Sequence, residues 1–367
     1  MSPGEHQRWI IMTNDADEKI VNKDLENPVA RILGIETSCD ETAASVVENG
    51  RDILSSAVAS QADLHAQFGG IFPEVASRQH VLAIYPIVDQ ALKEAHLKLA
   101  DLDGIAVTRG PGLPGSLVVG INMAKGLVIG SGLPLLGINH LEGHLYSAWL
   151  REEGKGKKKT PKFPLLALIV SGGHTELILM KNHLVYERLG GTLDDAAGEA
   201  FDKVARLLEL GYPGGPAIQE ASEGGNPEAF DFPRAWLDDS YNFSFSGVKT
   251  AVLRTVQQLE KQKSKLPIAD LAASFQAAVV DVLIRKTTLA AEEHKTKDIL
   301  IAGGVSANRA LREQISAQKK YRVHIPPLSL CTDNAAMIAG AGCYRFFAGQ
   351  RNDLEMDAAP TWSISEL

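Results

Sequence analysis

Apolar and polar positions along this chain fall into blocks that are typical of an α/β protein. From Arg31 onward, the apolar run R-I-L-G-I is followed by the polar turn E-T-S-C-D-E-T, and then by the runs A-A-S-V-V and I-L-S-S-A-V-A. Short apolar runs bounded by turn residues predict buried strands. The regular part of the chain is therefore predicted to begin with a hairpin that a third strand extends.

The same pattern returns in the second half of the chain. The run L-L-A-L-I-V is followed by the turn S-G-G-H-T and by the run E-L-I-L-M. Two glycines in that turn leave room for a ligand against the backbone, because no Cβ stands in the way. Related hairpins in both halves predict a duplicated, two-lobed α/β fold like that of actin and the sugar kinases, with a nucleotide cleft between the lobes.

Apolar residues at helical spacing occupy much of the remaining chain. They predict helices over 74–100 and 117–129, from about Asp194, from Ser246 as N-cap, and over 266–294. A strand that runs into A-G-G-V-S-A-N-R, with Ser306 or Asn308 opening the next helix, suits a nucleotide base and ribose. The last helix follows C-T-D-N, where Thr332 or Asp333 is the expected N-cap.

The most distinctive stretch covers 137–149 and has the sequence G-I-N-H-L-E-G-H-L-Y-S-A-W. It follows an apolar run and has the pattern of a short helix. On a helix, His140 and His144 lie four residues apart, so both imidazoles project from one face and can share a ligand. Paired imidazoles commonly bind a transition metal, which needs a further ligand from elsewhere. The alternative is a core-facing helix whose two histidines are satisfied by hydrogen bonds.

Composition narrows the range of functions. The net charge of −8 over 367 residues means that a nucleic-acid substrate must meet a local basic patch or a helping partner. Apolar runs are shorter than the roughly 20 residues that cross a bilayer, so no membrane association is expected. Three cysteines without zinc-knuckle spacing are typical of a reducing cytoplasm.

Two segments are predicted to lie outside the folded lobes. Residues 1–30 carry more acids than bases and lack a signal peptide, which indicates a disordered acidic tail. Residues 151–162 read R-E-E-G-K-G-K-K-K-T-P-K and indicate a flexible basic linker. Such a charge run is usually plain exposed surface, and contact with an RNA backbone is the alternative.

Ten motifs follow one another along residues 31–365. They are G-I-E-T-S-C-D-E-T, G-G-I-F-P-E-V-A-S-R-Q-H, G-P-G-L-P-G-S-L, N-H-L-E-G-H, V-S-G-G-H-T, D-D-A-A-G-E-A-F-D-K, Y-P-G-G-P, F-S-F-S-G-V-K-T, A-G-G-V-S-A-N-R and C-T-D-N-A-A-M-I-A. In this order they resemble the bacterial type of the TsaD family, the tRNA adenosine threonylcarbamoyltransferases. The resemblance covers nearly everything beyond the tail.

The resemblance implies a reaction and a set of site residues. A threonylcarbamoyl group would pass from threonylcarbamoyl-AMP to N6 of the adenosine 3′ of the anticodon, in tRNAs that read codons beginning with A, with release of AMP. The implied ligands of one divalent metal ion, Fe²⁺ or Zn²⁺, are His140, His144 and Asp333. The implied adenylate-binding positions are Ile169, Val170, Ser171, Gly172, Gly173, Asp202, Gly215 and Asn308. The sequence does not identify a general base.

The resemblance also implies partners and a division into lobes. Bacterial relatives resemble members of a complex with an inactive TsaB-like paralogue and a TsaE-like ATPase, and a separate synthase supplies the adenylate. The N-terminal lobe is expected over 31–137, completed by a C-terminal helix over 331–367. The C-terminal lobe is expected over 138–330.

Three other functions fit parts of the sequence. A metalloprotease of the zincin type needs H-E-x-x-H, whereas the order here is H-L-E-G-H, and Glu142 lies about 200° around the helix from His140. An ATP-dependent small-molecule kinase of the same fold explains the hairpins but not the paired histidines. An inactive scaffold is expected to lose H-x-x-x-H and C-T-D-N, and this chain keeps both.

Overall fold

The structure is a computed structural model that describes residues 29–152, 159–237 and 240–367. Nearly all of the predicted tail and residues 153–158 of the predicted basic linker lie outside these ranges. Within the ranges, every helix is too short or too polar to cross a membrane.

The first half of the chain builds one mixed sheet with helices beside it. Its elements are β1 (Arg31–Glu36), β2 (Glu41–Glu48), β3 (Asp52–Ser60), α1 (Ala62–Ala66), α2 (Pro73–Glu94), β4 (Gly104–Gly110), α3 (Pro114–Ser131), β5 (Leu135–Asn139), α4 (His140–Tyr146) and β6 (Arg151–Glu152). The strand order is β5-β4-β1-β2-β3-β6. β1, β2 and β3 pair antiparallel, whereas β4 and β5 continue the sheet in parallel.

The second half builds a sheet of the same design. Its elements are β7 (Leu165–Val170), β8 (Thr175–Asn182), β9 (Val185–Gly191), α5 (Ala197–Leu207), α6 (Gly214–Ala221), α7 (Ser246–Lys261), α8 (Ile268–Glu293), β10 (Asp298–Ala302), α9 (Arg309–Ser316), β11 (Arg322–His324) and α10 (Ala335–Phe347). The strand order β11-β10-β7-β8-β9 repeats the first sheet without an equivalent of β6. The predicted duplicated α/β fold is therefore confirmed.

The last helix, α10, returns to the first sheet and packs on β1, β2 and α4. Gly34 in β1 permits this, because a Cβ there would collide with the backbone of Ala335 and Ala339. A hydrophobic cluster that includes Ile138, Ile169 and Met337 extends from one half of the chain to the other. The helix with the paired histidines is consequently packed between the two halves.

Several predicted helix boundaries are wrong for local reasons. α2 ends at Glu94 instead of residue 100. His96, two residues after this end, has a positive φ of 55°. α5 begins at Ala197 and not at Asp194, because the Asp194 carboxylate accepts hydrogen bonds from the residues that start α7. Ser246 does not cap α7, since its hydroxyl donates to that carboxylate at 2.6 Å.

The segments around α10 and β6 also differ from their predictions. Asn334, and neither Thr332 nor Asp333, caps α10, because Asn334 Oδ1 accepts a hydrogen bond from the Met337 amide at 3.0 Å. The helix covers 335–347 instead of 331–367, and Gly349 follows it with a φ of 74°. The first two residues of the predicted linker form β6 beside β3.

Candidate metal and nucleotide site

The histidine helix α4 begins directly where β5 ends. Asn139 caps it, since its Oδ1 accepts hydrogen bonds from the amides of Leu141 and Glu142 at 2.9 and 3.4 Å. Every residue of α4 is buried. The rings of His140 and His144 lie 4.8 Å apart, centroid to centroid. The Asn139 cap thus fixes the start of the helix at His140, and the two imidazoles lie side by side one turn apart.

Asp333 approaches these imidazoles from the segment before α10. Its Oδ1 atom lies 3.4 Å from His140 Nε2 and 3.3 Å from His144 Nε2. One ligand atom from each of the three side chains lies within 4.8 Å of the other two. Because Asn334 caps α10, the carboxylate of Asp333 is not used by the helix and faces the histidines.

His144 shows most clearly that these side chains suit a metal ion. It is fully buried, and neither of its ring nitrogens has a hydrogen-bond partner among the described residues. Its approach to Asp333 at 3.3 Å is close but lacks the alignment of a hydrogen bond. A buried polar group left unpaired costs roughly 1–3 kcal/mol. A metal ion bound at this imidazole would remove part of that cost.

His140 is oriented by a buried carboxylate that the sequence did not single out. Its Nδ1 atom lies 3.0 Å from Glu36 Oε2 and 3.2 Å from Ser38 Oγ. Glu36 is fully buried and also accepts a hydrogen bond from the Thr108 hydroxyl at 2.7 Å. Metal-binding histidines commonly donate their second N–H to such a carboxylate, which directs the other nitrogen to the metal. An acidic residue at the end of an apolar strand, as at Glu36, is the signal that points to this role.

Burial and the neighbouring charges shift the pKa values of His140, His144 and Asp333 in opposite directions. Burial lowers the pKa of His140, but the charges of Asp333 and Glu36 outweigh it and raise that pKa well above its ordinary value. Burial keeps the pKa of His144 below its ordinary value. Burial opposes ionisation of Asp333, yet the two imidazoles hold its pKa well below the usual range. Asp333 is therefore an anion at neutral pH, the form that binds metals.

Glu142, between the two histidines in sequence, is bound on both of its oxygens. Its Oε2 accepts a hydrogen bond from Arg345 Nε at 2.7 Å, and its Oε1 accepts one from the Tyr186 hydroxyl at 2.7 Å. A zincin needs a glutamate that is available to work on metal-bound water. The engaged carboxylate of Glu142 does not meet that requirement.

The predicted adenylate positions start at the end of β7. Ile169 and Val170 are buried strand residues, and the chain then turns at Ser171, whose amide donates to the His174 carbonyl at 2.8 Å. Gly172 and Gly173 are exposed, and a Cβ on either would meet open space. The turn therefore presents backbone to whatever lies beside it.

Helix α5 begins directly against this turn. The Gly198 amide donates to the Ser171 carbonyl at 3.1 Å, and a Cβ on Gly198 would come within 2.6 Å of that same oxygen. Further along α5, Asp202 Oδ1 accepts a hydrogen bond from the Gly214 amide at 2.7 Å. Burial raises the pKa of Asp202. Gly215 follows at the start of α6 with open space beside it, so the structure brings these three predicted regions together.

Asn308 joins the same group of elements, although its side chain is already engaged. Its Oδ1 caps α9 by accepting from the Leu311 amide at 3.0 Å, and its Nδ2 donates to Gln276 Oε1 at 2.7 Å. Gly303, before it, has a φ of 91°, and a Cβ there would lie 2.5 Å from the Val170 carbonyl oxygen. The segment after β10 is thus held against the end of β7. The Asn308 side-chain amide stabilises the start of α9 through these internal hydrogen bonds.

Electrostatic effects link the nucleotide positions to the histidines. Burial, together with the charges of His140 and His144, lowers the pKa of His174 to about 4. Burial, with the charges of Asp333 and Asp40, raises the pKa of Glu41 to about 10. The turn between β1 and β2 borders the His–His–Asp cluster, since Ser38 Oγ lies 3.2 Å from His140 Nδ1. The charges of both imidazoles are also felt at His174, in the turn after β7.

Comparisons with known proteins agree on one family. A family model described as TsaD, tRNA N6-adenosine threonylcarbamoyltransferase, matches residues 52–340. A curated relative of that name from Thermomicrobium roseum is 55% identical over 89% of this chain and 94% of the relative. Another, from Dehalococcoides mccartyi, is 53% identical over 91% of this chain and 99% of the relative.

A solved structure supports the fold alone. Component A of (R)-2-hydroxyglutaryl-CoA dehydratase from Acidaminococcus fermentans superimposes with a TM-score of 0.52 at 18% identity. The similarity covers 87% of this chain and 99% of that protein.

Proposed function

The chain belongs to the TsaD family of tRNA N6-adenosine threonylcarbamoyltransferases, and we propose how its site carries out the transfer. The donor is threonylcarbamoyl-AMP, and the acceptor is N6 of the adenosine 3′ of the anticodon in tRNAs that read codons beginning with A. The bond from the carbamoyl carbon to N6 forms, the bond from that carbon to the phosphate oxygen breaks, and AMP leaves as N6 loses a proton.

His140, His144 and Asp333 hold one divalent metal ion in this proposal. The observation that carries it is the fully buried His144, whose nitrogens lack hydrogen-bond partners among the described residues and which faces an ionised Asp333. Two imidazoles and a carboxylate suit Fe²⁺ with open coordination positions, and Zn²⁺ accepts the same donors. Once bound, the ion would supply a Lewis acid for a phosphate or threonyl oxygen of the donor.

The adenylate part of the donor is assigned to the second sheet. Open space beside Gly172, Gly173 and Gly215 supports close approach of a ligand to the backbone. The carboxylate of Asp202, at the α5–α6 contact, is assigned to the ribose hydroxyls. Asn308 is assigned a supporting part: its side chain, bound to Gln276 and to the Leu311 amide, fixes the start of α9 next to the adenylate.

The main tasks of the protein in this reaction are to orient the two reactants and to stabilise charge. An adenine amine is a weak nucleophile because its lone pair is delocalised into the ring, and the mixed anhydride of the donor supplies the driving force. Holding the two reactants in register and stabilising charge on the leaving phosphate are therefore the main contributions. No side chain is assigned as a general base.

An exposed apolar face supports the proposal that the enzyme works with an inactive TsaB-like paralogue. Val81, Leu82 and Tyr85 on α2 are 61%, 70% and 69% exposed, and Val118 and Ile129 on the adjacent α3 are exposed as well. Apolar patches of this kind mark interaction sites. A TsaE-like ATPase and a separate adenylate-forming synthase complete the proposed system, which acts in the cytoplasm, where its tRNA substrate is found.

We also propose a change to the expected division into lobes. β6 pairs with β3, and α4 packs on α10. The first lobe is therefore drawn as 31–152 with α10, in place of the expected boundary between 137 and 138. The second lobe is then the sheet of β7 to β11 with its helices.

Nucleoside analysis of unmodified tRNA tests the proposal. The tRNA is incubated with this protein, threonylcarbamoyl-AMP and candidate partners, and threonylcarbamoyladenosine is expected. Asp333→Ala should abolish both the product and the bound metal, while circular dichroism shows the fold unchanged. An active, metal-free Asp333→Ala enzyme would overturn the metal assignment. Absence of modified adenosine under every partner combination would overturn the assigned reaction.

A further inference from the structure

Uncompensated positive charge runs along the outer face of α7 and into the loop after it. Arg254, Lys261, Lys263 and Lys265 are exposed, and Glu260 is the one acidic residue in 250–266. In the part of the chain that the structure describes, none of these four bases takes part in an ion pair, whereas Lys249 at the start of the helix does. On a protein of net charge −8 this concentration of positive charge is a local exception.

The basic side chains share their helix face with amides. A single surface depression is lined by Arg254, Gln257, Gln258, Lys261 and Gln262. Val248, Val252 and Val256 are buried on the opposite side, against the core of the second half. The exposed face of α7 therefore combines cations with neutral hydrogen-bonding groups along one stripe, which we name the α7 basic face (residues 254, 257, 258, 261 and 262).

This combination matches the backbone of a folded RNA. Lysine and arginine neutralise phosphates, and glutamine amides donate and accept hydrogen bonds at phosphate oxygens and 2′-hydroxyls. The contacts carry little sequence information and depend on salt. They suit a substrate that is recognised through the shape of a stem.

Helix α7 starts beside the nucleotide positions, and the α7 basic face lies farther along it. Lys249 Nζ binds Asp195 Oδ2 at 2.7 Å, and the chain continues from Asp195 into α5. The Ala197 amide at the start of α5 donates to Thr175 Oγ1 at 2.9 Å, directly after the turn at 171–174. At a rise of 1.5 Å per residue, Arg254 lies about 12 Å and Lys261 about 23 Å along α7 from Ser246.

We propose that the α7 basic face binds the sugar-phosphate backbone of the anticodon stem while the loop adenosine reaches the His–His–Asp cluster. This rests on the proposed function, in which a tRNA is the acceptor. A stem that leaves the site along α7 would pass Arg254 first and Lys261 about two turns later.

A matched pair of double variants tests the proposal. Arg254→Gln with Lys261→Gln removes two charges from the α7 basic face. Lys295→Gln with Lys297→Gln removes two exposed charges from the loop between α8 and β10 and serves as control. Binding of unmodified tRNA to each protein, reconstituted with its partners, is measured over a series of KCl concentrations.

The α7 variant is expected to reduce the magnitude of the slope of log affinity against log salt by about 1.8, the value for two lost phosphate contacts on a duplex. Its KM for tRNA should rise, while kcat and the KM for threonylcarbamoyl-AMP stay at wild-type values. Nuclease protection of the anticodon stem should weaken in this variant alone. Equal slopes and equal KM values in both variants would overturn the proposal. Loss of partner binding with unchanged tRNA affinity would also overturn it and assign the face to a protein.

The design separates failure of this inference from failure of the proposed function. If wild-type enzyme and both variants make no threonylcarbamoyladenosine, the proposed reaction fails, whereas the binding slopes still report on the face. If all three proteins make product at saturating tRNA, the reaction stands, and the salt dependence, the KM for tRNA and the nuclease protection decide the inference.

Discussion

The buried ion pair between Glu142 and Arg345 offers the sharpest test of how the histidine helix is held. Glu142 is fully buried, the Arg345 side chain is 14% exposed, and the two groups are 2.7 Å apart. Glu142 lies on α4 between the two histidines, and Arg345 lies on α10, which begins just after Asp333. The pair therefore anchors α4 to the same helix that positions the carboxylate facing the imidazoles.

Replacing Arg345 with methionine leaves the Glu142 carboxylate buried with the Tyr186 hydroxyl as its remaining partner. Removing one member of a buried pair costs about 3–5 kcal/mol, because a charge stays uncompensated in the interior. We therefore expect Arg345→Met to lower the free energy of unfolding by about this amount. The double variant with Glu142→Leu removes both charges and should recover most of the loss.

Urea unfolding measures the stability change, and calorimetric titration with Zn²⁺ measures the effect on the site. Displacement of α4 would move His140 and His144, so Arg345→Met should bind Zn²⁺ more weakly than the wild-type protein. A loss of less than about 1 kcal/mol, as for an exposed pair, would refute the reasoning. So would a double variant whose loss equals the sum of the two single losses.

Three further predictions follow from the site and its surroundings. Glu36→Gln removes the carboxylate that orients His140 and should weaken metal binding by about 10- to 100-fold in competition with a chelating dye; unchanged affinity would exclude this role. Gly198→Ala places a Cβ 2.6 Å from the Ser171 carbonyl oxygen, so α5 or the turn at 171–174 must move. The KM for threonylcarbamoyl-AMP should therefore rise. An unchanged KM would mean that the turn tolerates a displaced α5. Burial lowers the pKa of His183, which stacks on Tyr344, to about 3. Between about pH 6.5 and pH 3, His183 is therefore protonated in the unfolded state and neutral in the folded state. The free energy of unfolding should fall by up to about 1.4 kcal/mol for each unit by which the pH is lowered in this window. His183→Phe should flatten that slope in urea unfolding, and an identical slope in both proteins would contradict the assignment.

The sheets were predictable because strand signals are local. Apolar runs bounded by polar turns located β1, β2, β3, β7 and β8, and their repetition predicted the duplication that both sheets show. β9 has no such run, since V-Y-E-R-L-G-G lies at the edge of its sheet with several side chains exposed. The helix caps were harder to predict. Asp194 and Asn334 acquire their roles from hydrogen bonds that compete with the caps expected from the sequence.

The sequence alone places His140 and His144 on one face, because residues four apart lie on the same side of any helix. It also determined that Glu142 points elsewhere, for the same geometric reason. Asp333 entered only through resemblance to a family, since nothing in local spacing connects it to residues far earlier in the chain. Tertiary packing decided the rest. α10 returns to the first sheet over Gly34, so Asp333 faces the imidazoles, Arg345 reaches Glu142, and the buried ring nitrogens of His144 have no hydrogen-bond partner among the described residues.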